Sequence, residues 1–369
     1  MANDPTLVPL KALPAQFVQT ADGAVLSRGC VQVKISGERA ADTVKAVLTL
    51  ATEEGASKEQ ICEFFAAPDR PAVAALVDQL LTRRILVPAD TVETSGERVE
   101  GTLDIFYWHF GEKTSTVTER LNEKQIVVLG VNAVARQIVS ALRAVQAENV
   151  TVIDYPLLRN LRFFDNGVVH SNEWLSPLPR PVSYQEWAQD LDPQSFDCLV
   201  ATSDFGGFQV MREWNEFCVS HQRHFLPIML DNLIGYVGPF VIPGETACYE
   251  CLYVRENANA DEPQLKRSVE AASIHHQAVT GFHPSMASVL GDIAALELTK
   301  FYGGLGGVPW RVGAVIEVSL LAADMKARKL LKVPRCAVCS PVRTRSTTTP
   351  NKSAFMPGHD WNVITGEQK

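Results

Sequence analysis

The stretch Gln125-Ile126-Val127-Val128-Leu129-Gly130 decides the fold of this chain, and the turn Val131-Asn132-Ala133-Val134-Ala135 follows it directly. The first stretch is almost wholly apolar, which is typical of a strand buried on both faces of a parallel sheet. Residues 133–147 then carry apolar side chains at helical spacing, and Val150 to Asp154 form a second apolar strand. A strand, a tight turn, a helix and a strand that ends in an acid make up the nucleotide-binding β-α-β layout. The sequence therefore predicts an α/β, Rossmann-like domain.

The turn lacks part of the glycine fingerprint that nucleotide binding requires. A working loop reads Gly-x-Gly-x-x-Gly, and its second glycine lets the backbone approach the phosphates. Here Gly130 is followed by Asn132 and Ala135. Asparagine tolerates positive φ and can keep the turn, but its side chain fills space that phosphates need. We therefore expect the architecture to persist and the nucleotide site, with Asp154 at the ribose position, to be degenerate.

Asp204 lies at the carboxyl end of a third apolar strand, Phe196 to Thr202. Ligands of open α/β sheets bind at this edge, so Asp204 is a candidate residue of the nucleotide site. The interpretation we favour is a local one, in which Asp204 caps the helix predicted from Phe208 to Ser220.

Two Cys-x-x-Cys pairs lie far apart in the second half of the chain. They are Cys248-Tyr249-Glu250-Cys251 and Cys336-Ala337-Val338-Cys339. Four thiolates at this spacing are the usual ligands of a closed structural Zn²⁺ site, which has no open position for water. Two disulfides are the alternative, and they need an oxidising compartment that nothing else in the sequence indicates. The sequence therefore predicts a zinc clamp that holds the fold and does no chemistry.

The composition excludes several classes of function. The chain has 369 residues, of which 46% are hydrophobic and 21% charged, and a net charge of −8, as expected for a globular protein of about two domains. An acidic chain without a basic block is unsuited to nucleic acid or to an anionic membrane. No apolar run reaches the roughly 18 residues of a membrane helix, and the N-terminus has no signal-peptide pattern. With the other cysteines interpreted as buried free thiols, we expect a cytoplasmic protein.

Residues 1–90 predict a separate, small α+β domain. Short β-type runs, the last of them Val31 to Ile35, precede three helical patterns and a short closing strand. The third helical pattern places Val73, Leu76 and Leu80 on one face. This order of elements is winged-helix-like.

The third helix of this domain decides between DNA and other ligands. It has no Lys or Arg from Ala72 to Thr82, whereas the phosphate backbone demands a basic recognition helix. A groove between a strand edge and an apolar helix instead suits a peptide that adds a strand. The candidate peptide contacts are Val31, Val33, Ile35, Val73, Leu76 and Leu80. A dimerisation or stability module without a ligand remains the alternative.

The remaining segments are a connector and a tail. Residues 91–123 are predicted to connect the domains, and their aromatic run Ile105-Phe106-Tyr107-Trp108 predicts an anchoring strand. The α/β domain then spans residues 124–341. Polar residues dominate afterwards, so residues 342–369 are predicted to form a disordered tail.

Residues 120–340 resemble the ThiF family, the bacterial relatives of ubiquitin-activating enzymes. The resemblance rests on the strand and loop Val128 to Ala135, on Asp154, on Ala201-Thr202-Ser203-Asp204 and on the two cysteine pairs. It implies a Rossmann-like fold with a four-cysteine zinc site and, in active members, ATP-dependent adenylation of a carboxylate. The segment that active members use after the ribose acid is shortened and rearranged here, and Asn160 and Arg162 are its candidates to contact a phosphate.

A subfamily is more similar still. Residues 238–248, with the sequence Gly-Pro-Phe-Val-Ile-Pro-Gly-Glu-Thr-Ala-Cys, resemble the ThiF-like partner proteins of azoline-forming clusters, the thiazole/oxazole-modified microcins (TOMM). Residues 1–90 resemble the leader-peptide recognition domain fused to those proteins. In that family the leader adds a strand beside the segment that matches Val31 to Ile35 and lies against the helix that matches Val73 to Leu81. The resemblance implies maturation of a ribosomally made peptide (RiPP), such as a bacteriocin.

Three hypotheses follow. In the first, the chain is a non-catalytic scaffold that binds the leader of a precursor peptide and presents the core to a YcaO cyclodehydratase, so that tethering raises the effective concentration. In the second, the chain is itself an ATP-dependent, ThiF-type enzyme that activates a peptide carboxylate. In the third, it is a structural homodimer, formed through the ThiF-like domain, without a ligand.

Overall fold

The computed structural model describes residues 8–29, 31–91, 101–174, 177–273, 281–306 and 311–341. Two compact units share the chain. The first runs from the N-terminus to Val117 and includes residues 305–307, and the second comprises the remainder. The predicted tail after residue 341, Cys30, His275 and His276 lie outside the described residues.

The first unit combines two small antiparallel sheets with helices. Strands β2, β3 and β4 form one sheet in that order, and β1 pairs with β5 in the other. The strands are β1 (Leu10–Ala12), β2 (Gln16–Thr20), β3 (Gly23–Arg28), β4 (Val31–Ser36) and β5 (Leu86–Pro88). The helices are α1 (Ala40–Thr49), α2 (Lys58–Glu63), α3 (Arg70–Thr82) and α4 (Thr102–Trp108), and α5 (Thr114–Asn122) crosses into the second unit.

Apolar side chains from the strands and the helices of the first unit pack together in one core. Leu26 of β3, Val33 of β4, Val44 of α1 and the α3 residues Val77 and Leu80 are each at most 2% exposed. The alternation in β4 explains its orientation, because Val33 is buried while Gln32 and Lys34 are exposed. A capping box begins α2, with reciprocal bonds between Ser57 and Gln60.

The aromatic run Ile105-Phe106-Tyr107-Trp108 is helical, so the strand predicted for it was wrong. The carboxylate of Asp104 accepts the Gly101 N–H at 2.9 Å and caps the helix. Trp108 at its end packs against Leu13 and Val87. Helix α4 therefore anchors the segment by one buried face, which is the packing role that the sequence indicated for it.

The second unit is a large, mostly parallel sheet flanked by helices. Its strand order is β10-β7-β6-β11-β12-β13-β14-β15, in which neighbouring strands from β10 to β12 are parallel and those from β12 to β15 are antiparallel. The strands are β6 (Ile126–Leu129), β7 (Val150–Asp154), β8 (Phe164–Asp165), β9 (Val168–Val169), β10 (Val182–Ser183), β11 (Cys198–Ser203), β12 (His224–Asp231), β13 (Ile234–Val237), β14 (Ala314–Ser319) and β15 (Asp324–Lys329). Strands β8 and β9 form a separate hairpin.

The helices of this unit cover the central strands, which are buried on both faces. They are α6 (Ala133–Ala144), α7 (Ser171–Trp174), α8 (Tyr184–Gln189), α9 (Phe208–Ser220), α10 (Tyr249–Ala258), α11 (Pro263–Ser273) and α12 (Pro284–Tyr302). Every residue of β6 and β11 is buried, as the apolar runs predict. The carboxyl ends of β6, β7 and β11 meet at one edge of the sheet, which is where α/β proteins bind ligands. None of the helices in the described ranges combines the length and the apolar character needed to cross a membrane.

Candidate functional site

The turn between β6 and α6 is closed and buried. All residues from Gly130 to Ala135 are buried, and Gly130 takes the positive φ of 113°. A Cβ at Gly130 would lie 2.9 Å from Asn132 Nδ2 and from the Thr202 carbonyl oxygen. Only glycine fits this position because both its φ and its space exclude a side chain.

Asn132 caps α6 and ties the turn to two other segments. Its φ is −156°, so the positive φ anticipated for it is not used. Its Oδ1 accepts the Ala135 N–H at 2.9 Å, as an N-cap residue does. Its Nδ2 donates to the carbonyl oxygens of Leu158, at 3.0 Å, and Thr202, at 2.9 Å. The side chain, which is 0% exposed, therefore occupies the place where a second glycine would admit phosphate.

Asp204 bonds to an N–H of α6 and does not cap α9, so the local interpretation of this residue was wrong. Its Oδ2 accepts the Ala133 N–H at 2.9 Å, across 71 positions of sequence. The cap of α9 is Gly207 instead. The Asn160 amide donates to both Asp204 oxygens at 3.0 Å. Burial raises the pKa of Asp204, while the bonds from Asn160 and Ala133 act in the opposite direction.

The acid at the ribose position is also engaged by the chain itself. Asp154 accepts two bonds of 2.8 Å from Nε and Nη2 of Arg159, and both side chains are no more than 15% exposed. The Arg159 guanidinium also lies over the ring of Phe164, at 4.2 Å. Arg162, by contrast, is exposed, and its backbone N–H donates to Asn160 Oδ1 at 3.0 Å.

The groups that would bind a nucleoside triphosphate already have partners within the chain. A helix N-terminus binds phosphate through unsatisfied N–H groups and its positive dipole end. At α6 the Ala133 and Ala135 N–H groups are taken by Asp204 and Asn132, and Asp204 places a carboxyl group where the phosphate would lie. Arg159 likewise holds the ribose acid. The residues present do not fit the phosphates of ATP. Thr202 and Asn160 complete this arrangement. The sequence marked Thr202 only as part of a family motif, since it gains its role when β11 lies beside β6.

A cleft of about 750 Å³ opens beside Asp154, at the β7–β10 side of the same unit. Its lining includes Trp174, Arg180, Val182 and Glu186. The cleft is therefore adjacent to the degenerate ribose position and separate from the closed turn.

The two cysteine pairs come together as the sequence predicts. The four Sγ atoms of Cys248, Cys251, Cys336 and Cys339 all lie within 4.8 Å of one another. Individual separations are 3.9 Å for Cys248–Cys251, 3.7 Å for Cys248–Cys336 and 3.5 Å for Cys251–Cys339. Sulfurs arranged tetrahedrally at about 2.3 Å from a metal lie about 3.8 Å apart, so the set is compatible with a metal ion.

The surroundings of the cysteines support metal binding. The Val333 N–H donates to the Cys251 sulfur at 3.3 Å, a bond that favours the thiolate form that a metal requires. Between the cysteines of the first pair, Glu250 accepts bonds of 2.7 and 2.9 Å from Arg212 of α9. This ion pair fixes α10 against α9 and so orients the first cysteine pair.

The predicted peptide contacts divide into two groups. Val33, Val73, Leu76 and Leu80 are at most 7% exposed and belong to the core of the first unit. Val31, the first residue of β4, and Ile35, the residue before its last, are half-buried. Strand β4 pairs on one side with β3, and its other side has no partner strand among the residues described.

Comparisons with known proteins identify the fold. The chain is similar to E. coli MccB bound to ATP, at 16% identity and a TM-score of 0.65, over 90% of this chain and 99% of that one. The microcin C7 biosynthetic enzyme MccB in complex with N-formylated MccA matches at 16% identity and a TM-score of 0.66, over 90% and 99%. A heterocyclase in complex with substrate and cofactor matches at 16% identity and a TM-score of 0.56, over 90% of this chain and 39% of that one. No protein-family model and no curated protein sequence matches the chain. The chain thus has the fold of MccB.

Proposed function

We propose that the first unit binds the leader of a ribosomally made precursor peptide as an added β-strand, and that the chain presents the core of that peptide to a separate YcaO cyclodehydratase. The observation that carries this proposal is the free edge of β4 beside an apolar core. An unpaired strand edge is a template for an extended peptide, because its backbone groups supply hydrogen bonds without any demand on the peptide's sequence.

The register of the β3–β4 pairing determines which backbone groups of β4 would face the peptide. Arg28 pairs with Val31, and two residues separate them in sequence. The pair that flanks a two-residue hairpin loop is hydrogen-bonded. Hydrogen-bonded pairs alternate along an antiparallel ladder, so Val31, Val33 and Ile35 bond to β3. The N–H and C=O groups of Gln32 and Lys34 then point to the free edge. The exposed side chains of Gln32 and Lys34 lie on the face away from the core.

The heterocyclase comparison supports a separate catalytic partner. The match covers 90% of this chain but 39% of the heterocyclase, so most of that protein has no counterpart here. In the proposal, a second protein supplies that part. The closed turn at α6 supports the same division, since Asn132 and Asp204 fill the phosphate position of this chain.

The edge of β4 is tested with peptides selected from a display library of random 20-residue sequences on the full-length protein. Lys34→Pro removes an edge N–H without removing a bond to β3, and we expect it to weaken the selected fluorescent peptides at least about tenfold in an anisotropy titration. Lys34→Ala is the matched control, because it keeps the N–H but loses the 3.2 Å ion pair with Asp22. It should change affinity less than about twofold. Equal losses in the two variants, or no selected peptide at all, would contradict strand addition.

The alternative function is ATP-dependent activation of a peptide carboxylate by the chain itself. The specific observation in its favour is that MccB, which has this fold, is described as a biosynthetic enzyme and has been solved with ATP. An ATP–pyrophosphate exchange assay with the selected peptides separates the two functions. The scaffold proposal expects no exchange above a blank, and exchange that requires Asp204 would replace it with the catalytic function.

We also propose that the metal of the four-cysteine site is Zn²⁺ in a structural role. Four thiolates fill a tetrahedral shell and leave no position for water or substrate. Three of the four cysteines are buried, and all four belong to or pack against the core beneath α9 and α10. This fits a metal that holds the fold.

A further inference from the structure

Arg28, at the end of β3, is a buried cation whose bonding is incomplete. Its side chain is 6% exposed, and Nη2 lies 3.3 Å from His109 Nδ1. Its Nε and Nη1 atoms are buried and have no hydrogen-bond partner in the described part of the chain. A guanidinium carries its donors in a fixed fork that matches a carboxylate, so two unmatched donors on one buried arginine indicate a missing anion.

The neighbours of Arg28 add positive charge. Arg84 donates to the His109 carbonyl oxygen at 2.8 Å. Burial lowers the pKa of Arg28, and the nearby charge of Arg84 lowers it further. Burial also lowers the pKa of His109, and the charges of Arg28 and Arg84 lower it further. No carboxylate among the described residues forms an ion pair with either arginine. The cluster of Arg28, Arg84 and His109 therefore has donors and charge but no acid.

The position of Arg28 relates this cluster to the proposed peptide. Ala24, Leu26 and Arg28 alternate on the buried face of β3, and Arg28 is paired with Val31 of β4. The same face continues along β4 as Val31, Val33 and Ile35. A strand added to the edge of β4 would lie about 10 Å from β3, which is twice the spacing of neighbouring strands. An arginine and a glutamate side chain together span that distance when they lie on the same face.

We propose that the cluster of Arg28, Arg84 and His109 is a specificity site that accepts one acidic side chain of the bound peptide. This inference rests on the proposed strand addition to β4 and names a feature of its ligand. The acid lies opposite Val31, and the apolar residues that follow opposite Val33 and Ile35 are two and four positions away. The peptide pattern is thus an acid, any residue, an apolar residue, any residue and a second apolar residue, in one chain direction or the other.

The display selection tests the pattern directly. Random 20-residue peptides selected on the full-length wild-type protein should be enriched in Asp or Glu at this fixed spacing from two apolar residues. The same selection on Arg28→Gln should keep the apolar spacing and lose the acid. Arg39→Gln is the matched control, since Arg39 is an exposed arginine of the same unit and its side chain is 76% exposed. It should keep both features.

A second measurement leaves the protein unchanged, in case Arg28→Gln does not fold. In a selected peptide, Glu→Gln at the acidic position should weaken binding to the wild type about tenfold or more, as expected for loss of charge-assisted hydrogen bonds. Moving the glutamate by one position turns it to the other face, and this should weaken binding equally. Where Arg28→Gln folds, the peptide change should have less than a twofold effect on it.

The outcomes separate this inference from the function on which it rests. If no peptide is selected, both fail. Selected peptides that have the apolar spacing but no acid preference would retain strand addition and overturn the acid site. Inorganic phosphate is the competing occupant. If low millimolar phosphate raises the melting temperature of the wild type but not of Arg28→Gln, and the peptides show no acid preference, the cluster binds a free anion and the inference is wrong.

Discussion

At the scale of single residues, the proposed scaffold role depends on which atoms bond to the first turn of α6. Asn132 and Asp204 are 0% exposed and both accept N–H groups of that turn. In a nucleotide-binding protein a phosphate would make these bonds. Here Asn132 and Asp204 supply the accepting oxygen atoms. A glycine at position 132 alone is therefore not expected to recreate a phosphate-binding site.

Asn132→Gly tests this interpretation. The variant restores the second glycine of the fingerprint but removes the bonds from Nδ2 to Leu158 and Thr202 and the cap at Ala135. We expect the free energy of unfolding to fall by about 2 to 3 kcal/mol, because buried carbonyl oxygens lose their donors. Urea denaturation measures the loss, and calorimetric titration with ATP should show no binding. The control is Asn166→Gly at an exposed position with a φ of 48°, where glycine is tolerated.

Asp204 predicts a pH dependence of stability. Burial raises its folded pKa above the ordinary value of 3.8, so the folded state holds the proton to higher pH than the unfolded state. Between these two pKa values the native state binds more protons, and this contribution to stability falls as pH rises. The margin of the wild type over Asp204→Asn in urea denaturation should therefore be larger at about pH 4 than at about pH 7. A margin that grows with pH would contradict the assignment.

Residue-scale prediction from the sequence succeeded where the signal was local. The two cysteine pairs were found because the spacing within each pair alone implies its geometry. Asp204 was assigned to the next helix in sequence because capping is usually local. The parallel sheet instead brings the ends of β6 and β11 together, and the nearest N–H group belongs to Ala133. Such a contact depends on strand order, which a single residue does not reveal.

At the scale of elements, periodicity identified most helices and strands and failed where one composition suits both. The run from Ile105 to Trp108 is aromatic and β-branched, as strands often are, yet the cap from Asp104 makes it helical. Strand β15, Asp324–Lys329, was not predicted because five of its six residues are exposed and charged or polar residues dominate it. It exists because β14 offers an edge on which it can pair. A local cap decides the first case, and tertiary pairing overrides a weak intrinsic preference in the second.

We expect a metal at the four-cysteine site to hold α10 against the segment that contains Cys336. Metal analysis of the purified protein should give one Zn²⁺ per chain, and Cys336→Ser should lose it. We expect the melting temperature of the second unit to fall on the order of 10 °C, because metal binding contributes directly to folding free energy. Cys62→Ser is the control, since Cys62 is a half-buried free cysteine of the first unit. Full zinc content in Cys336→Ser would contradict the assigned ligand set.

At the scale of the whole molecule, the proposal places two tasks in two compact units with separate cores. The core of the first unit contains Leu26, Val33 and Leu80, and the edge of β4 borders it. The core of the second contains Cys248, Cys251 and Cys336 beside Trp214. A ligand stabilises the unit to which it binds. We therefore expect the two tasks to be thermodynamically separable.

Differential scanning calorimetry tests the separation with two perturbations of the same protein. A selected peptide at about 100 times its Kd adds about 2.7 kcal/mol to the unit that binds it, which raises that transition by on the order of 10 °C. A zinc chelator should lower the other transition and leave the peptide-dependent one in place. Lys34→Pro should abolish the first shift without changing the second, and Cys336→Ser should do the reverse. If the peptide and the chelator move the same transition, the peptide binds the metal-containing unit, and recognition must be sought in the cleft beside Asp154 instead of at β4.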